Sequence, residues 1–149
     1  MPYNAGAFER EIARAFIGDG IIEPLQRLVW VGLGGALGSM LRYLLDGWVQ
    51  RGILAFPLGT LVVNVSGCLA IGFFAERLAD AAIDPAFRTA VLVGVLGGFT
   101  TFSTFSYETL RLVESRQHGA ALLNVTASVL ACLAAAWIGQ LIARWMATP

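Results

Sequence analysis

The chain has 149 residues, of which 57% are hydrophobic and 13% charged, and its mean hydropathy is +0.71. This composition is unusual for a soluble globular domain and indicates a membrane protein. Ten arginines balance ten acidic residues, so no basic surface for nucleic acid is expected. One histidine and two cysteines lack the spacing of a metal site or a catalytic triad, which argues against an enzyme. Cys68 and Cys132 are interpreted as packing residues.

Residues 1–26 are predicted to form a separate N-terminal extension, because they mix charged with apolar residues. One interpretation is a short amphipathic helix over residues 7–17 that lies on the membrane surface and ends at Gly18-Asp19-Gly20. The other interpretation is an unstructured tail. A signal peptide is not indicated, because a basic start followed by an apolar core and a cleavage site is missing.

Residues 27–149 are predicted to form one transmembrane domain of four helices. Crossing a bilayer takes about 20 apolar residues in a helix. Stretches of this kind are predicted at the following positions: 28–49, 57–79, 87–113 and 120–145. Short loops rich in turn formers and charges separate them, and the four tryptophans lie mostly near their ends, as in interfacial belts. The predicted fold class is an all-α membrane protein.

The arginines do not select one orientation in the membrane. With four spans, both termini lie on the same side. Outside the distal N-terminal tail, four arginines flank that side and three flank the other, so the positive-inside rule favours neither orientation. Insertion in both orientations would permit an antiparallel dimer. A single orientation with cytoplasmic termini is the alternative.

The first span combines small residues with a charge. Four residues are spaced for close approach of another helix: Gly34, Gly35, Gly38 and Ser39. Arg42 follows one turn later in an otherwise apolar run, where a charge costs roughly 2.5–3.5 kcal/mol unless it meets water or a partner. Arg42 is interpreted either as an anchor paired with Asp46 or as a cation in an aqueous vestibule that attracts anions.

The second and fourth spans each carry a polar face. Asn64 shares a face with Thr60 and Cys68 in the second span. Its amide could donate an N–H to an anion, or it could join two helices by hydrogen bonds. In the fourth span, Asn124 and Ser128 lie one turn apart and form either a polar track or a packing seam.

The third span is interrupted halfway by Gly97-Gly98-Phe99-Thr100-Thr101. Irregular backbone persists at membrane depth only where it is buried in protein, lines a cavity or holds an ion. Phe102 and Phe105 follow on one helical face, with Ser103 and Thr104 beside them. Because ring edges carry the positive end of the aromatic quadrupole, this pattern suits a narrow path for a small anion.

These segments together resemble the small bacterial fluoride channels of the Fluc/CrcB family. The resemblance covers all four spans, residues 28–145. It rests on three motifs in the expected order: Gly34-Gly35-x-x-Gly38-x-x-x-Arg42-Tyr43, Gly59-Thr60-Leu61-Val62-Val63-Asn64-x-x-Gly67 and Gly97-Gly98-Phe99-Thr100-Thr101-Phe102-Ser103-Thr104-Phe105.

The resemblance implies an antiparallel, dual-topology homodimer in the inner membrane, with two fluoride pores lined by both subunits and a broken third helix. The pore-lining residues would be Asn64, Phe102, Ser103, Thr104, Phe105 and Ser128. The vestibule cation would be Arg42. A structural sodium ion at the dimer centre would bind the backbone carbonyls of Gly97 and Thr100. Asn124 stands where the family often has a tyrosine, which alters the lower part of the polar track.

The expected function is passive export of cytoplasmic fluoride, which protects the cell from fluoride toxicity. A small multidrug or guanidinium exporter is the first alternative, but it needs a membrane-embedded carboxylate, and the first span has none at mid-depth. Glu108 lies toward a helix end and is interpreted as structural. A purely structural membrane protein is the second alternative, and it leaves Arg42, Asn64 and the interrupted third span unexplained.

Overall fold

The computed structural model describes residues 22–51, 56–79 and 83–147. Regular structure in these ranges is entirely helical: α1 Ile22–Gln50, α2 Leu58–Arg77, α3 Pro85–Thr89, a π-helical segment Ala90–Val95, α4 Leu96–Phe99, α5 Phe102–Glu114 and α6 His118–Trp145. The predicted surface helix over residues 7–17 lies outside the described residues.

Four helical stretches are long and apolar enough to cross a membrane: Leu25–Gln50, Leu58–Arg77, Pro85–Glu114 and His118–Trp145. They confirm the predicted all-α class and the predicted number of spans. The first helix starts at Ile22 rather than at residue 28, so it includes residues that the sequence analysis placed in the extension. Pro24 is compatible with this start because proline is tolerated in the first turn of a helix.

The third span, Pro85–Glu114, is a composite of several short helices. The Asp84 side chain caps its start by accepting the Ala86 N–H at 2.8 Å. Helical structure stops after Phe99, because Thr100 and Thr101 adopt extended conformations with ψ of 156° and 117°. The predicted interruption therefore consists of the two threonines, whereas Gly97 and Gly98 remain in α4.

Glycines let α1 lie in backbone contact with the π-helical segment and with α4. A Cβ on Gly34 would lie 2.6 Å from the Ala90 carbonyl oxygen, and one on Gly98 would lie 2.9 Å from the Gly35 Cα. Side chains are excluded at both positions. Close packing of small residues is the usual way in which helices associate in a bilayer, and here it places α1 directly beside the interruption of the third span.

A second glycine seam joins α2 to α6. A Cβ on Gly72 would lie 2.9 Å from the Ala136 carbonyl carbon, and one on Gly139 would lie 2.9 Å from the Phe73 nitrogen. The two helices therefore touch through their backbones. Asn64 and Ser128, which lie further toward the other end of these helices, face a common space beside the interrupted third span.

The end of α5 contains a residue in the left-handed region, Arg116, with φ of 59°. The Gln117 N–H donates to the Leu112 carbonyl and the Arg116 N–H donates to the Val113 carbonyl, each at 2.9 Å. This pattern is a Schellman motif, whose left-handed position strongly favours glycine.

Arg116→Gly is therefore expected to stabilise the folded chain by about 1 kcal/mol, because a non-glycine residue pays roughly 1–2 kcal/mol in this conformation and glycine pays little. Thermal unfolding in detergent measures the change. Arg116→Ala removes the same charge but keeps the Cβ, so it should not raise the unfolding temperature. Equal behaviour of the two variants would show that the charge, not the backbone conformation, matters.

Candidate functional site

The site is built around the interruption of the third span, which the Asn64 side chain holds in place. Asn64 Nδ2 donates to the Thr101 carbonyl at 3.0 Å, and the Thr101 N–H donates to Asn64 Oδ1 at 2.8 Å. The amide thus replaces the helical partners that Thr101 lacks, and it joins α2 to the third span. An amide nitrogen carries two N–H donors, of which the described residues use one.

A cavity of about 390 Å³ lies beside this interruption. Its walls come from α2, α5, α6 and the extended residues between α4 and α5. They are formed by Asn64, Cys68, Ile71, Thr100, Thr101, Phe102, Phe105, Ser128, Val129, Cys132 and Leu133. The structure therefore brings together four of the predicted pore residues, Asn64, Phe102, Phe105 and Ser128.

The two phenylalanines form one aromatic pair but differ in exposure. Their ring centroids are 5.3 Å apart and the rings are inclined by 46°. Phe105 is 8% exposed, whereas Phe102 is 78% exposed on the surface of the chain. One wall of the cavity therefore ends at the outer surface of the single chain.

Ser103 and Thr104 do not line this cavity, although the sequence analysis placed them with the phenylalanines. Their hydroxyls lie 3.2 Å and 3.0 Å from Thr101 Oγ1, and that oxygen also accepts the Thr104 N–H at 3.2 Å. Ser103 is exposed and Thr104 half-buried. The three hydroxyls form a chain at the start of α5, where Thr101 caps the helix.

Arg42 contacts the interrupted span from α1. Its Nε donates to the Gly98 carbonyl at 3.2 Å, and Ser39 Oγ donates to the same oxygen at 3.4 Å. Ion pairs in the described part of the chain include Arg111–Glu114 and Arg144–Glu76, whereas Arg42 and Asp46 form none with each other there. The Asp46-paired anchor, one of the two interpretations of Arg42, is thus not what the structure contains.

Arg42 also lines a pocket of about 20 Å³, enough for one water molecule, together with Asp46, Thr60, Thr101 and Thr104. Arg42 and Thr104 thus lie on this smaller pocket rather than on the large cavity. Thr101 borders both spaces.

The two carbonyls predicted to bind sodium have lost their helical donors. In a continuous helix, the Gly97 carbonyl would accept the Thr101 N–H and the Thr100 carbonyl would accept the Thr104 N–H. These N–H groups instead donate to Asn64 Oδ1 and to Thr101 Oγ1. The interruption therefore frees main-chain oxygens, which are hard ligands suited to a hard cation.

Three partly buried polar contacts were missed by the sequence analysis. Thr60 Oγ1 donates to Glu108 Oε1 at 2.9 Å, Asn124 Nδ2 donates to Thr109 Oγ1 at 2.9 Å, and Thr109 Oγ1 donates to the Phe105 carbonyl at 2.7 Å. Helical spacing placed Thr60 on a polar face with Asn64, and Glu108 was placed toward a helix end, but the sequence does not reveal which helix faces meet.

Asn124, which is 2% exposed, is therefore expected to stabilise the packing of α6 on α5 through Thr109. In a double-mutant cycle with Asn124→Leu and Thr109→Val, the two substitutions should couple by about 0.5–1.5 kcal/mol, the range for hydrogen bonds between membrane helices. Unfolding in mixed detergent micelles gives the four stabilities. Strict additivity would contradict a direct hydrogen bond.

Comparison with known proteins identifies relatives over most of the chain. Residues 29–140 match the family described as CrcB-like protein, Camphor Resistance (CrcB). The protein from Citrifermentans bemidjiense named fluoride-specific ion channel FluC is 48% identical over 122 residues, which cover 80% of this chain and 98% of the relative.

Two further relatives carry the same name. The one from Anaeromyxobacter dehalogenans is 49% identical over 125 residues, covering 83% of this chain and 99% of the relative. The one from Geobacter metallireducens is 50% identical over 119 residues, covering 78% of this chain and 96% of the relative. The motifs identified in the sequence thus led to the same group of proteins.

Proposed function

The chain belongs to the CrcB family, and we propose that it is a fluoride-selective channel that lets cytoplasmic fluoride leave the cell passively. Flow down the electrochemical gradient would protect the cell from fluoride toxicity. The observation that carries this proposal is the cavity in which the Asn64 amide, the Phe105 ring and the Ser128 hydroxyl meet beside the interrupted helix. The names of relatives that match over nearly their whole length support it.

The chemistry of the cavity suits an anion that must lose its hydration shell. The second Asn64 N–H and the Ser128 hydroxyl are hydrogen-bond donors, and the rings of Phe102 and Phe105 offer positive edges. Several weak sites in series bind an ion well enough for entry and weakly enough for release. Among the described residues that line the cavity there is no carboxylate or imidazole, which favours passive flow over proton coupling.

We also propose that the chain forms an antiparallel homodimer inserted in the inner membrane. Phe102 is 78% exposed although it lines the cavity, so the wall beside it is incomplete in one chain. A second copy would complete it. The near balance of arginines on the two sides of the spans supports insertion in both orientations, which an antiparallel pair requires. Ser103 and Thr104 would line the pore where the two copies meet.

A structural sodium ion at the centre of this dimer is also proposed. The carbonyls of Gly97 and Thr100 have lost their helical donors, and two copies facing each other across a two-fold axis would supply four oxygens. Equilibrium dialysis with radioactive sodium should show one ion retained for every two chains. Retention of no sodium by an intact dimer would contradict this assignment.

Fluoride efflux from proteoliposomes, followed with a fluoride electrode, tests the function directly. Rapid fluoride efflux is expected without a proton gradient, and chloride-loaded vesicles serve as the control for selectivity. Arg42 is expected to act at the pore entrance, where its positive charge raises the local fluoride concentration. A folded dimer that releases no fluoride, or that releases it only when a proton gradient is imposed, would overturn the proposal.

A further inference from the structure

Cys68 and Cys132 meet across the seam between α2 and α6. Both thiols line one cavity and lie close enough to interact, and neither belongs to a disulfide. Both side chains are half-buried and line the cavity beside the interrupted helix. The interpretation of these residues as separate packing positions therefore misses that they form a pair.

The backbones of the two helices fix the position of this pair. One turn after Cys68, Gly72 lies against Ala136, which is one turn after Cys132; a Cβ on the glycine would lie 2.9 Å from the Ala136 carbonyl carbon. Helices in backbone contact leave little freedom to side chains one turn away. The two sulfur atoms are thus held near each other before any ligand arrives.

The surroundings of the pair select one class of ligand. The described residues that line the cavity provide the Asn64 amide, three hydroxyls and apolar groups, but no carboxylate or imidazole. Calcium and magnesium require several oxygen ligands, and structural zinc requires four strong ligands. Two thiolates without further strong ligands suit soft monovalent ions such as Cu⁺ and Ag⁺, which accept two sulfur ligands in a linear arrangement.

We propose that Cys68 and Cys132 form a two-coordinate bis-thiolate site for a soft monovalent metal ion in the wall of the cavity. Two S–H bonds break and two sulfur–metal bonds form. Both protons pass to the solvent, and the oxidation state of the metal does not change. Two thiolates and one monovalent cation carry a net charge of −1, so the occupied site is anionic.

An anionic complex in the same cavity as Asn64 and Ser128 repels fluoride and fills part of its path. Like charges repel strongly at short range in a medium less polar than water. Occupancy should therefore block the channel. This block depends on the proposed fluoride function, whereas metal binding itself does not.

Titration of the reduced, detergent-solubilised full chain with Ag⁺ in chloride-free nitrate buffer is the direct test. The expected result is one Ag⁺ per chain with two sulfur ligands in X-ray absorption. Cys68→Ser and Cys132→Ser should each weaken binding by about a hundredfold or more, because the second bond of a chelate forms intramolecularly. Two Ag⁺ per chain, one of which remains equally tight in each single variant, would overturn the proposal, as would no binding.

Two further readouts keep the test decisive. Ag⁺ should raise the unfolding temperature of the wild type, since it binds the folded state, but not that of the single variants. If neither variant folds, the Ag⁺ stoichiometry and the sulfur coordination of the wild type still decide whether the metal site exists.

In proteoliposomes, Ag⁺ should lower wild-type fluoride efflux at least tenfold, while the efflux of the double serine variant should stay at the rate that this variant shows without metal. A chain that binds Ag⁺ as expected but never conducts fluoride would refute the channel function and leave the metal site standing.

Discussion

Asn64→Asp is expected to abolish measurable fluoride efflux while leaving the chain folded. In the wild type, the Thr101 nitrogen lies 2.8 Å from Asn64 Oδ1, and the aspartate keeps an oxygen that can accept this N–H. It loses both N–H donors, including the one that the described residues leave available in the cavity. A carboxylate also repels fluoride by about 4 kcal/mol at 4 Å and an effective dielectric constant near 20, which corresponds to a rate loss of roughly a thousandfold.

The measurement compares initial fluoride efflux from proteoliposomes of the variant and the wild type, with thermal unfolding as the control for folding. Asn64→Leu is the matched variant, because it removes both hydrogen bonds to Thr101 and should lower stability as well as flux. If the Asn64 amide has only a structural role, holding the interruption of the third span, the fluoride efflux of each variant should follow its stability. The aspartate variant should then conduct better than the less stable leucine variant. Efflux near the wild-type rate in a stable Asn64→Asp chain would remove Asn64 from the pore.

The predictable part of this fold follows from composition and from residue types that have one dominant physical role. Four long apolar stretches could only be buried in a membrane as helices, and the structure contains them. The region of the interruption was also predictable, because paired glycines and threonines disturb a helix. Its location at Thr100 and Thr101 was not predictable, because it depends on Asn64, which lies on another helix and supplies the replacement hydrogen bonds.

Contacts between helices could not be predicted from the sequence for a similar reason. A face that carries Asn64 and Cys68 is evident from helical spacing, but its partner is set by the glycine seam that brings α2 against α6. The contact of Cys68 with Cys132 arises from that seam. Arg42 shows the same limit, because its spacing from Asp46 suggested a pair within one helix, whereas its guanidinium donates to the Gly98 carbonyl of another span.

Gly38→Ala is expected to prevent normal packing of α1 and to destabilise the chain by about 3 kcal/mol or more, the upper range for overpacking. A Cβ at this position would lie 2.8 Å from the Phe99 nitrogen and 3.0 Å from the Val95 carbonyl carbon. These are backbone atoms, so no side-chain rotation relieves the contact. Gly32→Ala, in the same helix with no heavy atom within 4 Å of the added carbon, is the matched control and should fold normally.

The effect on function should exceed the effect on stability, because α1 also positions the interrupted span. In the wild-type chain, Arg42 Nε and Ser39 Oγ lie 3.2 Å and 3.4 Å from the Gly98 carbonyl oxygen. Moving α1 away would separate both donors from this oxygen. Size-exclusion chromatography and thermal unfolding report folding, and fluoride efflux per folded chain reports function. A folded Gly38→Ala chain with wild-type efflux would show that the contact between α1 and the third span is dispensable. Loss of efflux per folded chain, with Gly32→Ala unchanged, would show that backbone contact maintains the geometry of the cavity.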